Sequence, residues 1–161
     1  MVIRFTEIVC PTGGEQPKVE FPEKSLRNAL YRKGIDLWLM GIENNIDSSV
    51  KWNFNFILSN GMRTEYKVGK LHDYMMPPDL CRQTRKVQVD VPYGLGCVTS
   101  FIFYDCNNLA LFSIGHLTQQ VNVTILEIGA DEMIIGIRAN LYYGCPAIYT
   151  DFQFMVCDKN E

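Results

Sequence analysis

Apolar and polar residues alternate along most of this chain from residue 36 onward, a pattern typical of strands that bury one face. The stretch VKWNFNFILSNG, residues 50–61, shows it clearly, and its Asn-Gly step is a turn signal. Similar runs follow in RTEYKV, KVQVDV, CVTSFIFY, LALFSI, VNVTILEI, EMIIGIRANLYY and AIYTDFQFMV. The alternation predicts an all-β chain of about nine to twelve antiparallel strands.

One segment near the start has a helical period instead. In SLRNALYRKG, Ser25 suits an N-cap and Gly34 suits the end of a short helix near residues 25–33. Residues 2–9 predict an edge strand, and the Gly- and Pro-rich CPTGGEQPK predicts an exposed loop after it.

We expect residues 1–34 to pack, as strand, loop and helix, on a body formed by residues 37–156. The whole of residues 1–161 then forms one domain, which is the size expected for a single core. The segment HDYMMPPDLCRQTR, residues 72–85, is predicted to be the longest loop, because its adjacent prolines exclude a central strand.

Three of the strand segments share a Phe-x-Phe core, and the successive cores begin 47 and 51 residues apart. In each segment an Asn or Asp stands four residues after the second Phe, where a turn is expected. Residues two apart on a strand share a face, so all six aromatic rings are predicted to be buried: Phe54, Phe56, Phe101, Phe103, Phe152 and Phe154. The repeat predicts either three sheets around a pseudo-threefold axis or the hairpins of a jelly roll or another β-sandwich.

The phrases SVKWNFNFILSNGMRTEYKVG, CVTSFIFYDCNN and DEMIIGIRA followed by GCPAIYTDFQFMV resemble the jacalin-related lectin domain over residues 37–156. That family folds as a β-prism of three four-stranded sheets with an internal pseudo-threefold repeat. It holds a sugar mainly through a G-x-x-x-D loop before the final strand, helped by backbone groups near an N-terminal glycine.

In this chain the corresponding stretch is AIYTD, which has Ala147 where the family has glycine and keeps the aspartate as Asp151. The resemblance implies that Asp151 accepts hydrogen bonds from sugar hydroxyls and that Tyr149 stacks on the sugar ring. Gly144, three residues before Ala147, is a candidate to replace the missing glycine. The alternative is that Asp151 hydrogen-bonds within its own turn or faces solvent.

A second set of residues suits protein contacts. Tyr142 and Tyr143 directly precede a Gly-Cys-Pro turn, and Tyr74, Met75 and Met76 precede the adjacent prolines. The chain is therefore predicted to be a non-enzymatic binding module that recognises a carbohydrate or a protein through loops at one end of its sheets. The alternative is a structural or adaptor subunit of a large intracellular assembly that binds no sugar.

Charge and hydrophobicity argue against nucleic acid and membranes as partners. A net charge of −3 and a pI near 5.4 give no attractive field for nucleic acid. No apolar run approaches the roughly 20 residues that cross a bilayer, so no membrane insertion is expected. The opening MVIRFTEIVC lacks the apolar core of a secretion signal, which favours an intracellular, cytoplasmic location for a chain with six cysteines.

Motifs for catalysis and metal binding are missing from the sequence. His72 and His116 do not lie at ligand spacing from a cysteine, and no C-x-x-C pair occurs. No nucleophile elbow, phosphate-binding loop or H-E-x-x-H motif is present. The sequence predicts neither an enzyme nor a cofactor or metal site.

Overall fold

Antiparallel strands make up almost all the regular structure of the residues that the structure describes. The computed structural model describes residues 2–13, 19–25, 37–38, 42–44, 52–54, 56–58, 79–94, 96–115, 120–144 and 148–159. The strands are β1 (Ile3–Phe5), β2 (Val19–Phe21), β3 (Leu37–Trp38), β4 (Ile42–Asn44), β5 (Trp52–Phe54), β6 (Ile57–Leu58), β7 (Lys86–Pro92), β8 (Ser100–Tyr104), β9 (Ala110–Gly115), β10 (Val121–Glu127), β11 (Glu132–Leu141) and β12 (Tyr149–Asp158). The domain is all-β, as the alternation predicts.

The first sheet has four strands in the order β1-β12-β11-β2, and all neighbours are antiparallel. Its centre is the long β11–β12 ladder, whose register shifts twice. The N-terminal segment supplies both outer strands of this sheet, and an isolated bridge between Val9 and Phe152 extends its contact with β12.

The second sheet has the order β10-β7-β8-β9 and is also antiparallel throughout. Two shorter ladders join β3 to β6 and β4 to β5. Residues 59–78, which follow the first Phe-x-Phe segment, lie outside the described part of the chain, so the pseudo-threefold arrangement stays a prediction.

The core lies between the two larger sheets and is rich in aromatic rings. Phe101 of β8 is central: its ring centroid lies 4.8 Å from that of Phe54, 5.2 Å from Phe152 and 5.8 Å from Phe154. All six phenylalanines of the repeated segments are buried. The prediction that these three segments enclose one interior is therefore confirmed, and each ring contributes about 1.5–3 kcal/mol through burial.

The short α-helix Leu80–Gln83 lies inside the segment predicted to be a loop. The loop prediction is wrong for these residues because Leu80 and Cys81 are buried against the core, and the Thr84 hydroxyl donates to the Leu80 carbonyl at 2.7 Å. Lys24 and Ser25 are helical as well. The helix predicted near residues 25–33 lies, after Ser25, outside the described residues.

Candidate functional site

Three connecting segments meet at one end of the molecule. They are the loop that follows β1, the turn between β7 and β8, and the 3-10 helix Tyr142–Gly144 that follows β11. The Val98 N–H donates to the Tyr149 carbonyl at 2.9 Å and so ties the turn to the start of β12. We call this region the loop end, and it comprises residues 10–13, 93–94, 96–98 and 142–144.

Asp151 of β12 ties the loop after β1 to the end of β11. The N–H of Thr12 donates to its Oδ1 at 2.8 Å, and the Thr12 hydroxyl donates to its Oδ2 at 2.7 Å. Asn140 Nδ2 and the Thr150 hydroxyl donate to the same Oδ2 at 3.0 and 2.9 Å. Four donors match the roughly four acceptor positions of an ionised carboxylate, and Asp151 is only 7% exposed.

The backbone at Asp151 is as specialised as its side chain. Asp151 has a φ of 49°, in the left-handed region that Asp adopts more readily than most residues. It lies in a β-bulge, because the β11–β12 register shifts between Arg138 and Asn140. Its N–H donates to the Cys10 carbonyl at 2.9 Å. The bulge therefore turns the carboxylate toward the N-terminal loop.

These contacts fix the charge state of the site. Burial raises the pKa of Asp151, but the hydrogen bonds from Thr12, Asn140 and Thr150 outweigh it and hold the pKa below its ordinary value. Burial raises the pKa of the neighbouring Cys10 thiol to about 11, with smaller contributions from Cys97 and Asp151. At neutral pH the site holds a carboxylate beside a protonated thiol, so Cys10 is a poor nucleophile.

Beside this network the loop end presents aromatic surface to solvent. Tyr143 is 87% exposed, has a φ of 46°, and contacts Tyr142 edge to face with ring centroids 4.6 Å apart. Tyr142 is half-buried, and its ring lies 3.5 Å from where a Cβ on Gly96 would stand. Tyr93, in the turn after β7, is also exposed.

The structure separates the residues that the sequence grouped together. Tyr149 is fully buried, and its hydroxyl donates to the Phe54 carbonyl at 3.0 Å. The prediction that its ring stacks on a sugar is therefore wrong: the ring is part of the core. Gly144 ends the 3-10 helix at the loop end. Ala147 and the predicted protein-contact residues Tyr74, Met75 and Met76 lie outside the described residues.

Asp151 stays a predicted ligand residue. The alternative was a carboxylate that bonds within its own turn or faces solvent, but this carboxylate is buried and its partners include Thr12, 139 residues away, and Asn140. Sequence reasoning missed those partners, namely Thr12, Asn140 and Thr150. It also missed Gly13, which has a φ of 78° and open space where a Cβ would lie. The Gly-Gly loop after β1 was the available signal, since the resemblance calls for a glycine near the N-terminus.

Neither a cluster of metal ligands nor a membrane-spanning helix occurs among the described residues. No group of three or more His, Cys, Asp or Glu side chains in that part of the chain is placed to hold a metal ion. No helix within the same residues is long and apolar enough to cross a membrane.

Comparisons with known proteins show a likeness of fold alone. No family model and no curated protein matches this chain. The crystal structure of the V. cholerae biofilm matrix protein Bap1 is similar with a TM-score of 0.54 at 12% identity, over 96% of this chain and 23% of that chain. The crystal structure of PirB gives a TM-score of 0.41 at 15% identity, over 95% and 29%. This chain thus spans about a quarter of the length of the two proteins. The likeness to Bap1 supports the all-β fold.

Proposed function

We propose that this chain is a non-enzymatic binding module of the jacalin-like lectin type, and that it recognises a carbohydrate at the loop end. The proposal rests on the exposure of Tyr143 at the same end of the sheets as a backbone loop held by Asp151. Sugar sites combine an aromatic face for the C–H groups with a few fixed polar groups for the hydroxyls.

In this proposal Tyr143 takes the stacking role. At 87% exposure its ring meets a ligand without moving any core residue, and its edge-to-face contact with Tyr142 limits its rotation. A left-handed backbone at a non-glycine residue costs about 1 kcal/mol or more, and such strain is typical of functional sites. The ring is therefore held ready for a ligand, which lowers the entropy lost on binding.

Asp151 acts mainly through the loop that it holds. Its bonds to the N–H and hydroxyl of Thr12 fix the backbone next to Gly13, where no side chain hinders a sugar ring. Backbone groups beside Gly13 then meet the sugar hydroxyls, while the carboxylate supplies the negative end of the network. This arrangement agrees with the resemblance, which pairs an aspartate before the final strand with backbone near an N-terminal glycine.

A glycan array probed with the labelled protein tests the proposal. We expect retention on a defined set of glycans and, by titration with a retained glycan, an affinity about tenfold weaker for Tyr143→Ala. Leu109→Ala is the matched control. Leu109 is 64% exposed but lies in the β8–β9 turn at the other end of the second sheet, so the affinity of this variant for the glycan should not change. An array without retention, or equal losses for the two variants, would contradict the proposal.

Protein recognition at the same end is the second candidate function, because exposed tyrosines are as typical of protein interfaces as of sugar sites. Tyr93 and Tyr143 together favour it. Under this alternative the glycan array is blank, and the chain elutes with a larger complex from its native source. Tyr143→Ala then releases it from that complex, whereas Leu109→Ala does not.

A further inference from the structure

The strand β10 forms one edge of the second sheet, and four of its seven residues are exposed. It pairs with β7 on one side, and the sheet order places no strand on its other side among the described residues. Of its seven residues only Leu126 is buried. It is the longest of the four edge strands of the two larger sheets, since β9 has six residues and β1 and β2 have three each.

The hydrogen-bond pattern shows which backbone groups point outward. Just beyond the two ends of β10, the Tyr93 N–H donates to the Gln120 carbonyl at 3.0 Å and the Ile128 N–H to the Arg85 carbonyl at 2.8 Å. Antiparallel ladders alternate, so the even-numbered residues of β10 direct their N–H and C=O groups toward β7. The odd-numbered residues direct theirs away from the sheet.

Among the described residues, the outward groups of three odd-numbered residues have no partner. Glu127 uses its carbonyl to accept from Arg4 Nη2 at 3.2 Å. Within the described chain, no hydrogen bond reaches the outward N–H and C=O groups of the others, Val121, Val123 and Ile125. Their side chains share the outer face of the sheet, where Val123 is 51% and Ile125 is 38% exposed.

The strand itself lacks several of the usual protections of an edge strand. The sequence VNVTILE has no proline, glycine or lysine, and its β7 ladder runs without a bulge. By contrast, β9 contains Gly115 and its ladder with β8 shifts register. An unprotected edge of this length is a template for strand addition.

We propose that β10 pairs antiparallel with β10 of a second copy of this chain, with the twofold axis at Val123. Val121 then lies opposite Ile125 of the second copy, and Val123 lies opposite its own equivalent. Six hydrogen bonds satisfy all the outward groups of these three residues in both copies. The two second sheets become one continuous eight-stranded sheet across the axis.

A second copy is the fitting occupant because the free residues are self-complementary about their own centre, as a twofold interface requires. Every facing side chain is β-branched and aliphatic, a favourable cross-strand pair. The only ionisable residue of β10 is Glu127, at one end of the strand, so no like charges meet at the axis. The pairing does not depend on the loop end, and its test is separate from that of glycan binding.

Sedimentation equilibrium over low-micromolar to near-millimolar protein tests the pairing. We expect a monomer–dimer equilibrium, and Val123→Lys should weaken it by at least about tenfold, since two ammonium groups would face each other across the axis. Asn122→Lys is the matched control. It adds the same charge one residue away, on an exposed side chain whose backbone groups bond to β7, so the dimer should persist.

Cross-linking gives a second readout that does not depend on the stability of the lysine variant. In a Cys106→Ser background, which removes an exposed thiol, Val123→Cys should form a disulfide-linked dimer on treatment with oxidised glutathione. Each link consumes two thiols and one glutathione disulfide and releases two reduced glutathione molecules. Asn122→Cys should not cross-link.

A monomer at every concentration would overturn the pairing, as would a dimer that survives Val123→Lys. Open-ended assemblies larger than a dimer would overturn the twofold arrangement. If Val123→Lys does not fold, as judged by circular dichroism, the two cysteine variants decide: equal cross-linking of both overturns the register, and cross-linking of Val123→Cys alone supports it.

Discussion

The two larger sheets differ in how many of their faces are buried. In the first sheet, nine of the ten residues of β12 are buried, on both sides of the strand. In the second sheet, no residue of β9 and one of β10 is buried. The inner faces of both sheets line the same aromatic core, so the difference lies in their outer faces.

A second apolar cluster accounts for the first sheet. Met133, Ile135, Met155 and Cys157 are buried on its far side, and Ile3 and Phe5 pack against them. The polar Gln153 is buried there too, only 6% exposed. Its side-chain amide is satisfied, because it donates to the Thr6 carbonyl at 2.7 Å and accepts from Arg138 Nη2 at 2.9 Å. Alternation alone would place Gln153 in water. Alternation therefore identifies a strand but does not say whether its polar face is solvated.

The largest losses of stability should come from single substitutions, made in turn at two neighbouring residues of one strand. Phe154→Ala should lower the free energy of unfolding by about 3–5 kcal/mol and Met155→Ala by about 2–5 kcal/mol. Both side chains are fully buried, on opposite faces of β12. In the second sheet, Phe101→Ala should cost about 3–5 kcal/mol, and Ile102→Ala, half-buried on the outer face, about 1 kcal/mol. Urea unfolding of the four variants measures these changes.

The four variants compare the inner and outer faces of the two sheets. A free-energy loss for Ile102→Ala as large as that for Phe101→Ala would mean that the outer face of the second sheet is covered as well. It would also count against an open β10 edge, which belongs to the same sheet.

A smaller loss is expected at the polar network of the first sheet. Asp151→Ala leaves the donors of Thr12, Asn140 and Thr150 without their acceptor, which should lower the free energy of unfolding by about 2–3 kcal/mol. Thermal or urea unfolding gives the value. Asp105→Ala is a useful control, since Asp105 accepts two backbone N–H bonds in an exposed turn of the second sheet and should cost less.

The smallest predicted effect is a pH dependence. The folded pKa of Asp151 lies below the ordinary value, so its stabilisation is present above about pH 4 and is lost as the pH falls through the folded pKa. Asp151→Asn removes the titrating group. The difference in free energy of unfolding between this variant and the unsubstituted protein should therefore shrink as the pH falls from about 5 to about 2. Urea midpoints at several pH values measure this difference, and a constant difference would contradict the assignment of these bonds to the ionised form.

Local patterns predicted the strands well where the chain alternates. KVQVDV, residues 86–91, became β7, and the Phe-x-Phe segments met in the core because burial of large rings outweighs other preferences there. The helix Leu80–Gln83 was not predictable. It is a single turn whose Asp79 N-cap makes no side-chain hydrogen bond, so its position depends on burial of Leu80 and Cys81.

The candidate site was only partly predictable for a related reason. Thr12 and Asp151 are 139 residues apart, and no local pattern links them. Tyr143 and Tyr149 look equivalent in sequence, both beside the Gly-Cys-Pro turn. They differ because Tyr149 begins β12 and its hydroxyl reaches the Phe54 carbonyl, whereas Tyr143 stands in the left-handed bend before it.

The pairing of β1 with β12 has a consequence during synthesis on the ribosome. Phe154 donates its N–H to the Thr6 hydroxyl across 148 positions of the chain. At roughly 5–20 residues per second, the early strand waits about 7–30 s for its partner to be translated. Nascent chains therefore carry an unpaired β1 until β12 has been translated, and chaperones that hold extended segments have that interval in which to act.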